Sequence, residues 1–383
     1  MARKRQRGND EGTVYPRKNK DGKVTSHRGS YWVQTAEGPK RKYVSAKTKT
    51  EALVLLRKAL AERDSGLVFD AEHLTLGKYL DRWLNDSVRG SVRESTFDRC
   101  EIAIRVHIDP ALGRLKLKNL TSAHVQSFYK DRLDAGLAPA SVNKLHAVLH
   151  KALSQAVKWN MVPRNVAEAV EAPRLAPKEI QALSSEETRR LLEAASGDRF
   201  EALYVVAVTT GMRQGELLGL KWRDVDLENA KVSVRRTLTK SGGRLLLGET
   251  KTKKSRRTIQ LPEAAVRALR EHLARQVESM QRLRDLYRDD GLVFASEVGT
   301  LINPTNLRKR SFASLLKRAG LAHIRFHDLR HTCATLLLSR NVHPKYVQEL
   351  LGHANIGITL DIYSHVIPGM GDHAAKAMED ALY

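Results

Sequence analysis

The chain has 383 residues, too many for one ordinary domain and enough for a sizeable core. Its formal net charge of +23 points to a polyanionic partner, nucleic acid before an anionic membrane. No apolar run is long enough to span a bilayer, and no apolar stretch follows the basic start MARKRQRGND to make it a secretory signal. Cys100 and Cys333 form neither a disulfide framework nor a metal spacing. They read as small buried hydrophobes rather than reactive thiols, in keeping with a reducing cytosol.

Residues 1–65 hold 17 Lys and Arg against 7 Asp and Glu, a net of +10. That concentration of charge marks a separate module. The stretches GTVYPR, SYWVQTA and RKYVSA read as three short strands, with turn signals at Asp21-Gly22 and Glu37-Gly38. A helix follows from Thr48, where Thr48-x-x-Glu51 fits a capping box, and Ala52, Leu55, Leu56, Ala59 and Leu60 recur at helical spacing. The expectation is a small sheet packed on one helix, with basic residues left outside.

Residues 64–73 read as a connector, and residues 74–172 as an all-α module of four helices with basic rims. Leu76, Tyr79, Leu80 and Leu84 share one face of the first. The next is predicted to start at Ser95 as N-cap, with Phe97, Ile102 and the stretch 104–108 apolar. Thr121 caps a helix through Leu133, and Ala140-Ser141 opens another to Lys158. Pro163, Pro173 and Pro177 then break the pattern, which places a boundary near 172–180.

A third unit, residues 180–383, is predicted as mainly α with a small β-sheet. Ser184 or Ser185 caps its first helix, and the apolar helix ALYVVAVTTG ends at Gly211. Strand signals lie between Val225 and Leu261, with Ser241-Gly242-Gly243 as a turn. No internal repeat or low-complexity block is present.

Six side chains in this unit invite chemistry, and each has a plainer alternative. Arg213 opens a predicted helix, where free N–H groups suit an anion, but Glu216 on the same face makes an ion pair as good a reading. His327 and Arg330 are three apart and share a helical face; a structural His327 is as good a reading, at the start of a helix that continues through His331 into an apolar run. His353 is held just past a helix that starts at Pro344 and ends at Gly352, a setting that also suits a structural histidine. Lys251 lies in a predicted basic hairpin; for Lys253, Lys254 and Arg256 a solvated edge contacting DNA is the better reading. Tyr363, one of ten tyrosines, would alone read as core. Its place ten residues after His353, behind a short TLDIY helix, raises it above that.

Taken together, TTGMRQGELLGLKW, TKTKKSRRTIQL, HDLRHTCATLLLS and LLGHANIGITLDIYSH resemble the tyrosine recombinase (phage integrase) family in order and spacing. The resemblance covers residues 180–370. It extends to residues 74–172 as a core-site DNA-binding domain, and to residues 1–65 as a small arm-type DNA-binding domain. Carried over by position, it implies a catalytic set of Arg213, Lys251, His327, Arg330, His353 and Tyr363, with Lys253 as the alternative hairpin lysine. Tyr363 would be the nucleophile, Arg213 and Arg330 would neutralise the transition state, Lys251 would protonate the leaving 5′-oxygen, His327 would be the base, and His353 would bond a non-bridging oxygen. The family implies double-stranded DNA attachment sites and a homotetramer acting through a Holliday junction, and it leaves room for an accessory DNA-bending protein and a directionality factor.

On this reading the protein is a site-specific recombinase that integrates or excises phage or mobile-element DNA through a 3′-phosphotyrosyl intermediate. It works in the bacterial cytoplasm without ATP, metal or other cofactor; the sequence holds no P-loop and no zinc spacing. The rivals are a type IB topoisomerase-like enzyme, which would relax DNA as a monomer, and a non-catalytic DNA-binding protein. The C-terminal HAAKAMEDALY, with Ala374, Ala377, Met378 and Ala381-Leu382 on one face, could dock on a neighbouring protomer or pack on its own.

Overall fold

The computed structural model describes residues 12–35, 38–64, 73–175, 181–249, 256–363 and 378–382. By internal packing the chain divides into two units, Met1–Ala176 and Pro177–Tyr383. The architecture is the multidomain one expected: a three-stranded sheet with a helix, a helical module, and a mainly helical unit with small sheets. Among the described residues no helix is long and apolar enough to cross a membrane.

The first unit opens with an antiparallel sheet of β1 (Thr13–Lys18), β2 (Val24–Thr35) and β3 (Gly38–Ala46) in sequence order. The middle strand starts six residues before the SYWVQTA stretch, because it pairs on both sides, Lys18 with Val24 and Thr35 with Gly38. Strand alternation sends Tyr31 and Val33 to a buried face. There they meet Leu56 and Ala59 of α1 (Lys49–Asp64), whose first turn is closed by the predicted Thr48–Glu51 box. The opposite face carries the register pairs Arg28–Ser45, Ser30–Tyr43 and Trp32–Arg41, with Tyr15 opposite Arg28. Tyr15, Trp32 and Tyr43 are exposed, and the Arg28 guanidinium lies 3.8 Å over the Tyr43 ring.

The helical module has its own core. Helix α2 (Leu76–Trp83) buries Leu76, Tyr79, Leu80 and Trp83 and runs into a π-helical turn, Leu84–Val88. Helix α3 (Glu94–Ile102) begins one residue before the expected N-cap: Arg93 takes that position, Ser95 lies inside, and Glu94 sits at the positive helix end. A second π-helical turn, Ala103–Ile108, shifts the buried face, so Ile104 and Ile108 are buried while Ile102 and Val106 face solvent. After α4 (Asp109–Leu112) come α5 (Ser122–Asp134), capped by Thr121 as predicted, and α6 (Pro139–Lys158). The Tyr79 hydroxyl, buried between α2 and α6, donates to the Ala152 carbonyl at 2.5 Å.

In the second unit Ser184, the first of the two candidate caps, closes α7 (Ser185–Ala194) in a capping box with Glu187. Helix α8 (Glu201–Thr210) is apolar nearly all round and forms the centre of the core. Gly211 ends it at φ 59°, and a Cβ there would lie 2.6 Å from the Leu351 side chain. After α9 (Gln214–Leu218), β4 (Val225–Asp226) and β5 (Lys231–Val234) pair, β6 (Arg236–Ser241) and β7 (Arg244–Glu249) form a hairpin, and β8 (Arg257–Gln260) returns beside β5. Helix α10 (Glu263–Leu283) packs on α8. Next come α11 (Pro304–Asn306) and, beyond a π-helical turn, α12 (Ala313–Arg318). The last helices are α13 (Asp328–Leu338), α14 (Pro344–Leu351) and α15 (Ile356–Tyr363), with residues 378–382 helical beyond them.

Candidate active site

Arg213 stands at the N-cap of α9 and is tied twice to Glu216: its backbone N–H donates to Oε2 at 3.0 Å and its Nη1 to Oε1 at 2.8 Å. Glu216 is buried and also accepts from Arg257 Nη2 at 3.0 Å. Burial pushes its carboxyl up, but Arg257 and Arg213 outweigh that and hold it below the usual range. The ion pair read as the plain alternative for Arg213 therefore exists, and it leaves the arginine half-exposed and oriented. Arg257 in turn donates Nε to the Leu350 carbonyl at the end of α14, joining β8 to the helices that follow.

His327 is the N-cap residue of α13, one turn before Arg330 and His331. Arg330 is buried to 3% exposure, and its Nη1 donates to the Gly211 carbonyl at 2.8 Å. Its other terminal nitrogen, Nη2, is buried without a hydrogen-bond partner among the described residues. Burial and the like charge of Arg213 push this guanidinium down to about 9, still a cation at neutral pH. An orphaned donor on a buried cation is costly unless something anionic arrives to accept from it.

His353 follows Gly352, which ends α14 in the left-handed conformation at φ 66°. Its backbone N–H donates to Gln348 O at 3.1 Å, its carbonyl accepts from Gln348 Nε2 at 2.8 Å, and Nδ1 lies 2.9 Å from the Thr359 hydroxyl of α15. Burial pushes both His327 and His353 down to about 4, with His331 and Arg330 adding to the first and Arg330 and Arg213 to the second. Both are neutral imidazoles at pH 7. The charges of Arg213, Arg257 and Arg330 all act on His353, so the groups share one electrostatic neighbourhood.

Tyr363 closes α15 and is 1% exposed, packed among Ala334, Leu338, Val347 and Leu351. Burial pushes its phenol up to about 12, against a pull downward from Arg330. Its hydroxyl lies 2.7 Å from His331 Nδ1, a residue named in the HDLRH box but not singled out by sequence reasoning. Glu216 and Arg257 were likewise seen without their joint role; the three-residue spacing from Arg213 was the signal for Glu216, and none marked Arg257.

Lys251, Lys253 and Lys254 lie outside the described residues. The β6–β7 hairpin turns at Ser241–Arg244, and its second strand ends at Glu249, before Lys251 is reached. Glu249 and Arg256, which flank that segment, line an open cleft of about 710 Å³ together with Arg235, Arg236 and Arg257. Arg256 itself is half-exposed and paired with Glu249. Among the described residues no group of three or more His, Cys, Asp and Glu is placed to hold a metal ion.

The unit gathers arginines, neutral imidazoles and a buried phenol, and buried Glu216 is held between Arg213 and Arg257, a cationic setting suited to a phosphodiester. The chain belongs to the phage integrase family of tyrosine recombinases: residues 175–369 match the phage integrase family, and residues 75–132 match the phage integrase N-terminal SAM-like domain. A tyrosine recombinase XerC-like protein of Caldanaerobacter subterraneus subsp. tengcongensis is 34% identical over 365 residues, covering 89% of this chain and 92% of that one. Among solved structures, the Tn1549 transposon integrase in complex with a circular intermediate DNA has a TM-score of 0.66 at 22% identity, covering 80% of this chain and 99% of that one. A lambda integrase tetramer bound to a Holliday junction has a TM-score of 0.57 at 18% identity and covers 96% of this chain and 99% of that one. The protein is thus a tyrosine-type site-specific recombinase acting on DNA.

Proposed function

We propose that Tyr363 is the nucleophile and that Arg213, Lys251, His327, Arg330 and His353 complete the catalytic set. The observation that carries this reading is the Nη2 of buried Arg330, without a partner among the described residues and in one electrostatic neighbourhood with Arg213, His353 and the Tyr363 phenol. A phosphate oxygen satisfies that donor. Tyr363 Oη attacks the phosphorus and gives its proton to a neighbouring imidazole, the bond to the 5′-oxygen breaks, and the 3′-phosphotyrosyl ester forms. Lys251 protonates the departing 5′-oxygen. The two guanidiniums neutralise the phosphorane-like charge as donors fixed in advance, Arg213 by Glu216 and Arg330 by the Gly211 carbonyl. With His353 Nδ1 accepting from the Thr359 hydroxyl, Nε2 carries the proton and donates it to a non-bridging oxygen. Attack by a 5′-hydroxyl of another strand reverses the chemistry and exchanges strands.

The domain assignment follows the same reading: an arm-type DNA-binding domain at 1–65, a core-site domain at 74–172 and a catalytic domain at 180–383. The outer face of the N-terminal sheet, with Arg28, Arg41, Trp32 and Tyr43, suits a groove flanked by phosphates. Attachment sites on double-stranded DNA, a homotetramer on a Holliday junction and a bacterial cytoplasmic setting fit the family. Met378 and Leu382 are exposed on the last helical turn, as a tail docking on a second protomer requires. The test uses nicked duplex carrying the element's own attachment core, without metal or ATP, on a denaturing gel. Wild type is expected to give a covalent protein–DNA band, and Tyr363→Phe none while still binding the site. A band of full strength from Tyr363→Phe overturns the assignment. Relaxation of supercoils without strand exchange would favour the topoisomerase-like reading.

A further inference from the structure

The Tyr363 hydroxyl makes one hydrogen bond among the described residues, to His331 Nδ1 at 2.7 Å, with ring centroids 5.8 Å apart. His327, the base expected from the family resemblance, meets His331 edge-on at 5.2 Å between centroids and has no hydrogen bond to the phenol. His331 is therefore the imidazole in contact with the nucleophile, and it touches His327 as well. The direction of the bond follows from burial. Were His331 to donate Nδ1–H to the phenol oxygen, the phenolic proton would be left without an acceptor on a residue that is 1% exposed. The stable arrangement has the hydroxyl donating to Nδ1 and the imidazole proton on Nε2.

We infer that His331 takes the Tyr363 proton as the phenol attacks DNA, which makes it a further catalytic residue of this site. The inference rests on Tyr363 being the nucleophile. In the step the Oη–H bond breaks, the proton passes to Nδ1, the phenolic oxygen bonds to phosphorus, and the 5′-oxygen leaves with a proton from the general acid. Rejoining returns the proton from Nδ1 to Oη. The surroundings suit a base that charges only transiently. Burial holds His331 below its ordinary value, so it is neutral and free to accept, while Asp328 favours the imidazolium once formed. Asp328 is itself buried and held by Arg325 at 2.6 Å. The remaining groups that face His331 are Arg325 and Arg330, whose charges oppose protonation, His327 on the same helix, and Tyr363 on α15.

The experiment measures single-turnover covalent attachment to the nicked duplex by the full-length chain. His331→Gln keeps a hydrogen-bond acceptor but not a base, and attachment is expected to slow about 100-fold with DNA binding unchanged. Replacing Tyr363 by 2,3,5-trifluorotyrosine, whose phenol ionises far more readily, should bring His331→Gln to within about tenfold of wild type and change wild type little. A His331→Gln rate within about threefold of wild type overturns the inference, and so does a slow variant that the fluorinated phenol does not rescue, since His331 would then only position Tyr363. Should His331→Gln fail to fold, nitrogen NMR of the wild-type histidines decides. An unprotonated Nδ1 that shifts in Tyr363→Phe supports the inference, and a protonated Nδ1 ends it. Loss of attachment in Tyr363→Phe beside normal His331→Gln would sink this inference alone; attachment by Tyr363→Phe would sink the nucleophile assignment beneath it.

Discussion

The arginines of the N-terminal sheet and those beside Tyr363 live in opposite environments. Arg28 stacks on the exposed ring of Tyr43, where water and salt compete for its charge. Arg330 is 3% exposed, pinned to the Gly211 carbonyl, and left with a nitrogen that has no partner among the described residues. An exposed guanidinium can hold a phosphate loosely at many places along a duplex. A buried one is little screened and is satisfied by an acceptor that enters the pocket, as a phosphate oxygen would. On the proposed assignment the same side chain would serve recognition at one end of the chain and chemistry at the other, with burial making the difference.

Substitution at each end should break the comparison in a different observable. Arg330→Ala is expected to slow covalent attachment about 10²–10³-fold while the affinity for core-site DNA changes little; a comparable loss of affinity would mean that Arg330 binds rather than catalyses. Deleting residues 1–65 should remove a second DNA footprint, distinct from the one given by residues 74–383, while leaving attachment to a core-site substrate. Identical footprints with and without the segment would contradict an arm-type role. Arg28→Ala is a smaller perturbation. It should flatten the slope of log affinity against log salt on arm DNA by about one and leave the attachment rate alone.

The buried imidazoles predict a pH effect on stability. His327 and His353 are pushed from the ordinary 6.5 to about 4, so the unfolded chain binds their protons first. Stability from keeping them neutral is full above about pH 6.5 and drains away as pH falls toward 4. The midpoint of thermal unfolding should drop by a few degrees across that window, and His327→Asn with His353→Asn should reduce the drop. An unchanged drop in the double variant would assign it to other groups.

Much of this was legible because short-range chemistry wrote it. Thr48 with Glu51, Ser184 with Glu187, and Gly211 and Gly352 as left-handed ends are all local signals, and each closes the helix it was expected to close. The expected cap at Ser95 was two residues late, since Arg93 takes the N-cap and Glu94 sits in the first turn at the positive helix end. The exposure of Ile102 and Val106 could not be read, since a π-helical turn rotates the apolar face without altering the residue pattern. The site divides in the same way. Arg213 and Glu216 are three residues apart and their pairing was foreseen. Arg257 reaches Glu216 across 41 residues and His331 reaches Tyr363 across 32, contacts that only the tertiary fold supplies.

Helix α15 holds two things at once: Thr359 steadies His353, and four residues on Tyr363 bonds His331. Withdrawing that one helix would unseat the proposed attacking group and loosen the histidine proposed to bond the phosphate in a single movement. The cutting tool and part of its vice would then share one support, so that they are armed or disarmed together. For an enzyme that cuts DNA, such coupling would act as a safety interlock.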